Sequence, residues 1–133
     1  MTAYPLDGPA PSGCIIRVCR DCCCGTERKH PGVDHDGLFA RLEAGTRGGA
    51  RVLRSACLLA CDASNVVVVT PSREGRRHGA RPVWVGGVLD DEAVDDVAAW
   101  VRSGGPAVSP LPPRLEGRVF RPSGLSLTYA HVD

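Results

Sequence analysis

Residues 14–25 read CIIRVCRDCCCG, and this stretch decides how the rest of the chain is organised. Its first six residues, Cys14–Cys19, are mostly β-branched or apolar, which favours a β-strand. The strand pattern stops where the cysteines cluster, and a second group, Cys57 and Cys61, follows Cys24 after thirty-two intervening residues. We therefore expect two cysteine-bearing loops, each following a strand.

Cysteine is the residue type that stands out in the composition. Seven cysteines leave one over in any closed set of disulfides, and at about 5% of the chain they fall below the density of a disulfide scaffold. The segment before residue 14 has neither a basic stretch nor an apolar one, so no secretory signal is expected and the cytoplasm is the predicted location. In that reducing compartment, clustered cysteines more often bind metal or carry out redox chemistry.

Length and charge exclude several classes of protein. The chain has 133 residues and a formal net charge of +1. This length fits one small domain, and the balanced charge argues against a nucleic-acid binder. No run of about 18 apolar residues is present, so no membrane span is expected.

Hydrophobic periodicity predicts an α/β fold with the order β-α-β-β-β-α. Four consecutive valines indicate a strand buried on both faces, and a later apolar stripe with helical spacing follows an acidic first turn. The predicted elements are a strand at Cys14–Cys19, a helix from Asp34 or Asp36 to Gly45, strands at 51–55, 66–69 and 83–88, and a helix that starts at 90–92 and stops at 104–106. This order is compatible with a thioredoxin-like layer.

The remaining segments are predicted to be irregular. Residues 1–13 are expected to be a flexible lead-in, residues 14–105 the domain, and residues 106–133, with five prolines, an extended tail. Residues 71–81 are predicted to form a basic hairpin loop. As a hypothesis, its arginines steer an acidic redox partner, since weak electron-transfer encounters rely on charge.

Four thiolates from two loops are the ligand set that a [2Fe–2S] cluster needs. The second pair is fixed, because Cys57 and Cys61 are the only cysteines in that part of the chain. The first pair must come from Cys19 and the run of residues 22–24, and spacing leaves C-x2-C and C-x4-C both open.

The segments VCRDCCCG (residues 18–25), CLLAC (57–61) and NVVVV (65–69) together resemble the thioredoxin-like [2Fe–2S] ferredoxins. They also resemble the related small [2Fe–2S] subunit of respiratory complex I and of NAD-linked hydrogenases. These proteins share V-C-x4-C, a spacer of similar length, C-L-x-x-C and a hydrophobic strand. The resemblance covers about residues 14–105.

This resemblance implies a thioredoxin-like fold and a small electron carrier. Because the sequence shows no substrate-pocket motif, no nucleophile–base pair and no phosphate-binding loop, we do not expect an enzyme. The ligands that the resemblance implies are Cys19, Cys24, Cys57 and Cys61. Its partner would be an unidentified redox protein, and members of the family are often homodimers. Cys22 and Cys23 fall inside the first ligand loop, so a ligand swap to either of them stays open.

Two other functions remain alternatives at this stage. A structural zinc site also uses four cysteines in C-x2-C pairs, and Cys19 with Cys22 offers one. A thiol-disulfide protein would use the same pair after the first strand, but it would leave Cys57 and Cys61 unexplained. His30 and His35 are expected to be solvated rather than ligands, because four suitable cysteines make histidine ligation unnecessary.

Overall fold

The computed structural model describes residues 13–19, 31–47, 50–55 and 65–122. This part of the chain forms a mixed α/β fold with one five-stranded sheet and four helices. The elements are β1 (Cys14–Cys19), α1 (His35–Gly45), β2 (Ala50–Ser55), β3 (Val67–Thr70), α2 (Arg73–Arg77), β4 (Val83–Val85), α3 (Asp91–Arg102), α4 (Pro113–Glu116) and β5 (Val119–Phe120). The α/β class is confirmed. No helix in the described ranges is long and apolar enough to cross a membrane.

The strand order in the sheet is β2-β1-β3-β4-β5. β1 runs parallel to β2 and antiparallel to β3, and β4 and β5 each run antiparallel to the strand before them in the sheet. Strands β1, β2 and β4 therefore end at the side of the sheet where β3 and β5 begin. We call this side the Cys19 end and the opposite side the Cys14 end.

One face of the sheet packs against α1 and α3. Cys14, Ile16 and Val18 alternate along β1 and are each at most 4% exposed, because successive side chains of a strand point to opposite faces. They share one core cluster with the apolar stripe of α3, which the sequence predicted. Asp34 and Asp90 cap α1 and α3 by accepting hydrogen bonds from the N–H groups of residues 37 and 93. Both helix starts agree with the sequence-based expectation.

The valine strand is buried on both faces, as predicted. Val67 and Val69 belong to the core cluster under the helices. Val68 points to the other face, where it pairs with Trp84, and both residues are only 2% exposed. β3 and β4 form the predicted antiparallel hairpin, although β4 is shorter than expected and stops before Gly86.

The basic segment at 71–81, predicted as a loop, contains the short helix α2. Ser72 caps it, because its Oγ accepts a hydrogen bond from Gly75 N at 3.1 Å. Gly75 also lies so close to the following chain that a Cβ atom there would come within 2.5 Å of the carbonyl oxygen of Pro106. The cap and this close contact stabilise a turn of helix that the local sequence does not predict.

The prediction of an extended tail after residue 105 is wrong for residues 113–120. Pro113 begins α4, where a proline costs no hydrogen bond, and β5 then adds a fifth strand beside β4. Leu115 is fully buried in the core, and Phe120 packs edge-to-face on Trp84 with ring centroids 6.0 Å apart. These apolar contacts make the segment part of the domain. Residues 106–112 of the tail contain turns but no helix or strand, and the lead-in before Gly13 and the tail after residue 122 lie outside the described residues.

Replacing Leu115 by Ala tests whether this C-terminal segment contributes to the core. We expect Leu115→Ala to lower the free energy of unfolding by about 2–5 kcal/mol, the usual cost of truncating a buried leucine. Val119→Ala is the matched control, because Val119 is 39% exposed and its loss should cost little. Urea unfolding measures both variants. Equal stability of Leu115→Ala and the wild type would contradict the assignment of this segment to the core.

Candidate metal centre

Cys19 is the predicted ligand that the structure describes. It is the last residue of β1 and is only 2% exposed. On one side it pairs with Ser55 at the end of β2, and on the other its N–H donates to the carbonyl oxygen of Val66 at 3.1 Å. Cys19 therefore lies between the end of β2 and the beginning of β3.

The other predicted ligands, Cys24, Cys57 and Cys61, lie outside the described residues, as do Cys22 and Cys23. The structure does show the positions of the strands to which the segments containing these cysteines are attached. The first cysteine loop follows β1, and the second connects β2 to β3. Because β1 lies between β2 and β3, the end of β1, the end of β2 and the beginning of β3 are adjacent at the Cys19 end. Within the described ranges, no three His, Cys, Asp or Glu side chains are grouped so that they could hold a metal ion.

Cys14 lies at the other end of β1 and belongs to the core. It is fully buried, and its Sγ lies 3.6 Å from the carbonyl oxygen of Gly104 as a hydrogen-bond donor. Cys19 is five positions after Cys14 in β1, which corresponds to about 17 Å along a strand. The interpretation of Cys14 as a packed small residue is therefore confirmed, and it lies at the opposite end of β1 from the predicted ligand Cys19.

His35 is buried, although the sequence predicted a solvated side chain. It is 6% exposed at the start of α1 and lines a small cavity with Val18 and Asn65, near the Cys19 end. Its burial follows from the fold, because the first turn of α1 packs on the sheet. His30 lies outside the described residues, so the prediction for it stays a prediction.

Asn65 is a polar residue in this region that the sequence analysis missed as a possible functional group. It is 4% exposed, and its backbone carbonyl accepts a hydrogen bond from Val88 N at 3.0 Å. Its side-chain Oδ1 is buried, and within the described part of the chain it has no hydrogen-bond partner. A buried acceptor of this kind needs a donor, such as a water molecule or a bound group. The available sequence signal was an asparagine immediately before a buried valine strand.

Carboxylates surround a cleft between the first turns of α1 and α3. The cleft has a volume of about 670 Å³, and its lining includes Asp34, Asp90, Asp91 and Glu92 together with Arg41. The carboxylates are already engaged, two of them as helix caps and two in ion pairs with arginines. The cleft gives the helix side of the Cys19 end an acidic surface.

Arg41 joins α1 to α3 beside this cleft. Its guanidinium donates two hydrogen bonds to the carboxylate of Asp95, at 2.7 and 2.9 Å, and approaches Asp91 to 3.7 Å. The hydrogen bond from Arg41 is the main cause that lowers the pKa of Asp95, and the positive charges of Arg41 and Arg102 add to it. The carboxylates in turn raise the pKa of Arg41. The pair bridges the two helices at the surface.

No protein-family model matches the chain, and no curated protein is significantly similar to it in sequence.

The Arg41–Asp95 pair gives a prediction for pH titration. Because the pKa of Asp95 is lowered in the folded protein, the pair contributes stability above the unfolded carboxyl pKa, about 3.9, and that contribution is lost as the pH falls through the folded value. We expect Arg41→Gln to raise the pKa of Asp95 towards its ordinary range, measured by NMR titration of the side-chain carboxyl. Arg54→Gln is the control and should leave it unchanged. An unchanged Asp95 pKa in Arg41→Gln would show that the pair does not form in solution.

Proposed function

We propose that the protein is a small [2Fe–2S] electron-transfer protein whose cluster is held by Cys19, Cys24, Cys57 and Cys61. The observation that carries the proposal is the position of β1 between β2 and β3. As a result, the strand ends to which the two cysteine-bearing segments are attached are adjacent, and they lie at the Cys19 end of the sheet.

The covalent chain allows the four sulfurs to converge there. Cys57 follows Ser55 by two residues, and Cys61 precedes Asn65 by four. Since each residue spans at most about 3.6 Å, these cysteines are restricted to within about 7 Å and 14 Å of the respective anchors. Cys24 is five residues beyond Cys19 and is under a similar restriction. A four-thiolate shell at the Cys19 end is compatible with these limits.

The described part of the fold agrees with the resemblance to thioredoxin-like ferredoxins. A parallel pair, β1 and β2, flanks helix α1 in the sequence, and the antiparallel strands β3 and β4 precede helix α3. This is the order expected of a thioredoxin-like layer. The α4–β5 segment is an addition at the β4 edge of that layer.

A [2Fe–2S] cluster, when bound, supplies one-electron transfer, and the protein determines its surroundings. Cys19 is buried at a strand end, where its thiolate would be shielded from water, and its backbone N–H is already bonded to Val66 O. Amide hydrogen bonds to the cluster sulfurs would therefore have to come from the loop residues rather than from Cys19. Four thiolate ligands predict a potential below that of His-ligated Rieske centres.

The proposal also covers the location of the protein, its partner and its oligomeric state. It locates the protein in the reducing cytoplasm, with an unidentified redox protein as its partner and no substrate chemistry of its own. A homodimer, which the family resemblance suggests, is part of the proposal. A zinc module and a thiol-disulfide protein are the outcomes against which it is tested.

Metal analysis of protein purified without air tests the proposal directly. We expect red-brown protein with about two irons and two sulfides per chain, the content of a [2Fe–2S] centre. A colourless protein with one zinc per chain would establish the structural zinc module instead. A metal-free protein whose thiols cycle between reduced and disulfide forms would establish the thiol-disulfide alternative.

Two cysteines of β1 provide a matched pair of variants. Cys19→Ser should abolish or strongly reduce the iron and sulfide content, because it removes a thiolate from the shell. Cys14→Ser makes the same change at the opposite end of the same strand and should retain the cluster. Visible absorption and EPR of the reduced protein measure both. Retention of an unchanged cluster in Cys19→Ser would remove Cys19 from the ligand set.

The remaining ambiguity concerns the ligand in the run of residues 22–24. We expect Cys24→Ser to lose the cluster and Cys22→Ser and Cys23→Ser to retain it, as the C-x4-C spacing of the resembling proteins implies. Iron and sulfide per chain are measured in all three variants. Loss in Cys22→Ser with retention in Cys24→Ser would instead assign C-x2-C spacing to the first pair.

A further inference from the structure

Helix α2 presents a row of arginines on one face. Arg73, Arg76 and Arg77 are spaced i, i+3 and i+4, which places them on the same side of a helix, and all three are exposed. The opposite side of the turn is formed by Ser72 and Gly75, which are buried. We call Arg73, Arg76, Arg77 and the nearby exposed Arg81 the α2 arginine face.

The backbone under these arginines is fixed by packing. Ser72 caps the helix, and Gly75 contacts the chain at Pro106 too closely for any side chain. The carbonyl of Gly75 then accepts hydrogen bonds from the N–H groups of His78 and Ala80, each at 3.0 Å, and these turn the chain back towards β4. Because the backbone is already ordered, binding a partner at these arginines costs little additional backbone entropy.

The α2 arginine face carries uncompensated charge. In the described part of the chain, none of its four guanidinium groups forms an ion pair with a carboxylate, and Glu74 is the sole acidic residue in 71–81. Arg41 and Arg114, by contrast, are bonded to carboxylates of α3. The four arginines are therefore available to a carboxylate from outside the described chain.

The α2 arginine face lies at the end of the sheet away from Cys19. Thr70, the last residue of β3 before this segment, pairs with Ile15 near the beginning of β1. Cys19 is four residues further along β1 than Ile15, which corresponds to about 14 Å along a strand. A partner in contact with these arginines would therefore lie at the opposite end of the sheet from the proposed metal centre, and the hypothesis that they steer a redox partner stays a prediction.

We propose that the α2 arginine face is a docking surface for an acidic segment of another protein, rich in Asp and Glu, which binds while the Cys19 end stays accessible. The planar guanidinium group suits this partner, because it donates paired hydrogen bonds to a carboxylate. One helical turn is 5.4 Å high, so the three helix arginines fit a stretch of only a few acidic residues. The surface binds whether or not the protein holds a cluster.

Other anionic partners fit the surface less well. Residues 73–81 contain no large apolar side chain that could enter a membrane, and the exposed large hydrophobic residue in the described ranges is Val119, at the Cys19 end. They also contain no Phe, Trp or Tyr on which a base could stack.

Binding of a fluorescein-labelled peptide of eight glutamates to the full-length protein, followed by fluorescence anisotropy, tests the proposal. We expect binding at low ionic strength that weakens with added salt, and a loss of about tenfold or more in Arg76→Glu/Arg77→Glu, because repulsion replaces charge-assisted hydrogen bonds. Arg47→Glu/Arg51→Glu is the control, since it changes the net charge equally at exposed positions near α1 and β2. It should retain most of the affinity.

The outcomes are distinct from one another. Equal loss in the two double variants would overturn the proposal, because the binding would then follow net charge rather than the α2 arginine face. Tighter binding of an eight-nucleotide DNA strand, or of vesicles containing phosphatidylserine, than of the peptide would overturn it in favour of a different partner class.

Urea midpoints within error of the wild type show that the variants are folded, and Arg76→Gln/Arg77→Gln gives a milder second pair. Iron content does not enter this test, so its failure is separate from failure of the proposed function.

Discussion

The position of β1 in the sheet is the constraint on which the rest of the structure depends. β1 is hydrogen-bonded to β2 on one side, in parallel, and to β3 on the other, antiparallel. Parallel neighbours end at the same side of a sheet, whereas an antiparallel neighbour begins there. The chain therefore leaves β1 and β2 and enters β3 at one place, the Cys19 end. Both cysteine groups of the sequence are attached to these strand ends, and they can approach each other because of the strand pairing.

The alternation of side chains along β1 explains why its two cysteines differ. Cys19 is five positions after Cys14, and because this offset is odd, a regular strand directs their side chains to opposite faces of the sheet. Cys14 belongs to the core cluster beneath the helices, and Cys19 does not. Exposure alone would not distinguish them, since both are almost completely buried. Because of its register, Cys14 packs in the core. Cys19 lies instead at the strand end from which the first cysteine-bearing segment continues.

Local pattern was sufficient to predict the elements whose own residues bury a continuous apolar face. β1, the valine strand and α3 belong to this group, and the helix starts were predicted at Asp34 or Asp36 and at residues 90–92. The elements that were not predicted depend on contacts between distant residues: α2 on the packing of Gly75 against Pro106, and α4 on the burial of Leu115. At the candidate site, the strand end at Cys19 was predictable from the pattern. The burial of His35 and Asn65 was not predictable from the pattern. These polar residues are buried because α1 and β3 pack in the core, and this packing depends on contacts between distant residues.

The strand order also separates charge along the molecule, which the net charge of +1 conceals. α1 and α3 both begin at the Cys19 end, and helix N-termini favour carboxylates. Asp34, Asp90 and Asp91 accordingly lie there, while the α2 arginine face lies at the Cys14 end, where α1 and α3 terminate. An acidic partner held by these arginines is kept away from carboxylates that would repel it. Under the proposed function, docking at one end and electron exchange at the other would use different surfaces, so neither would exclude the other.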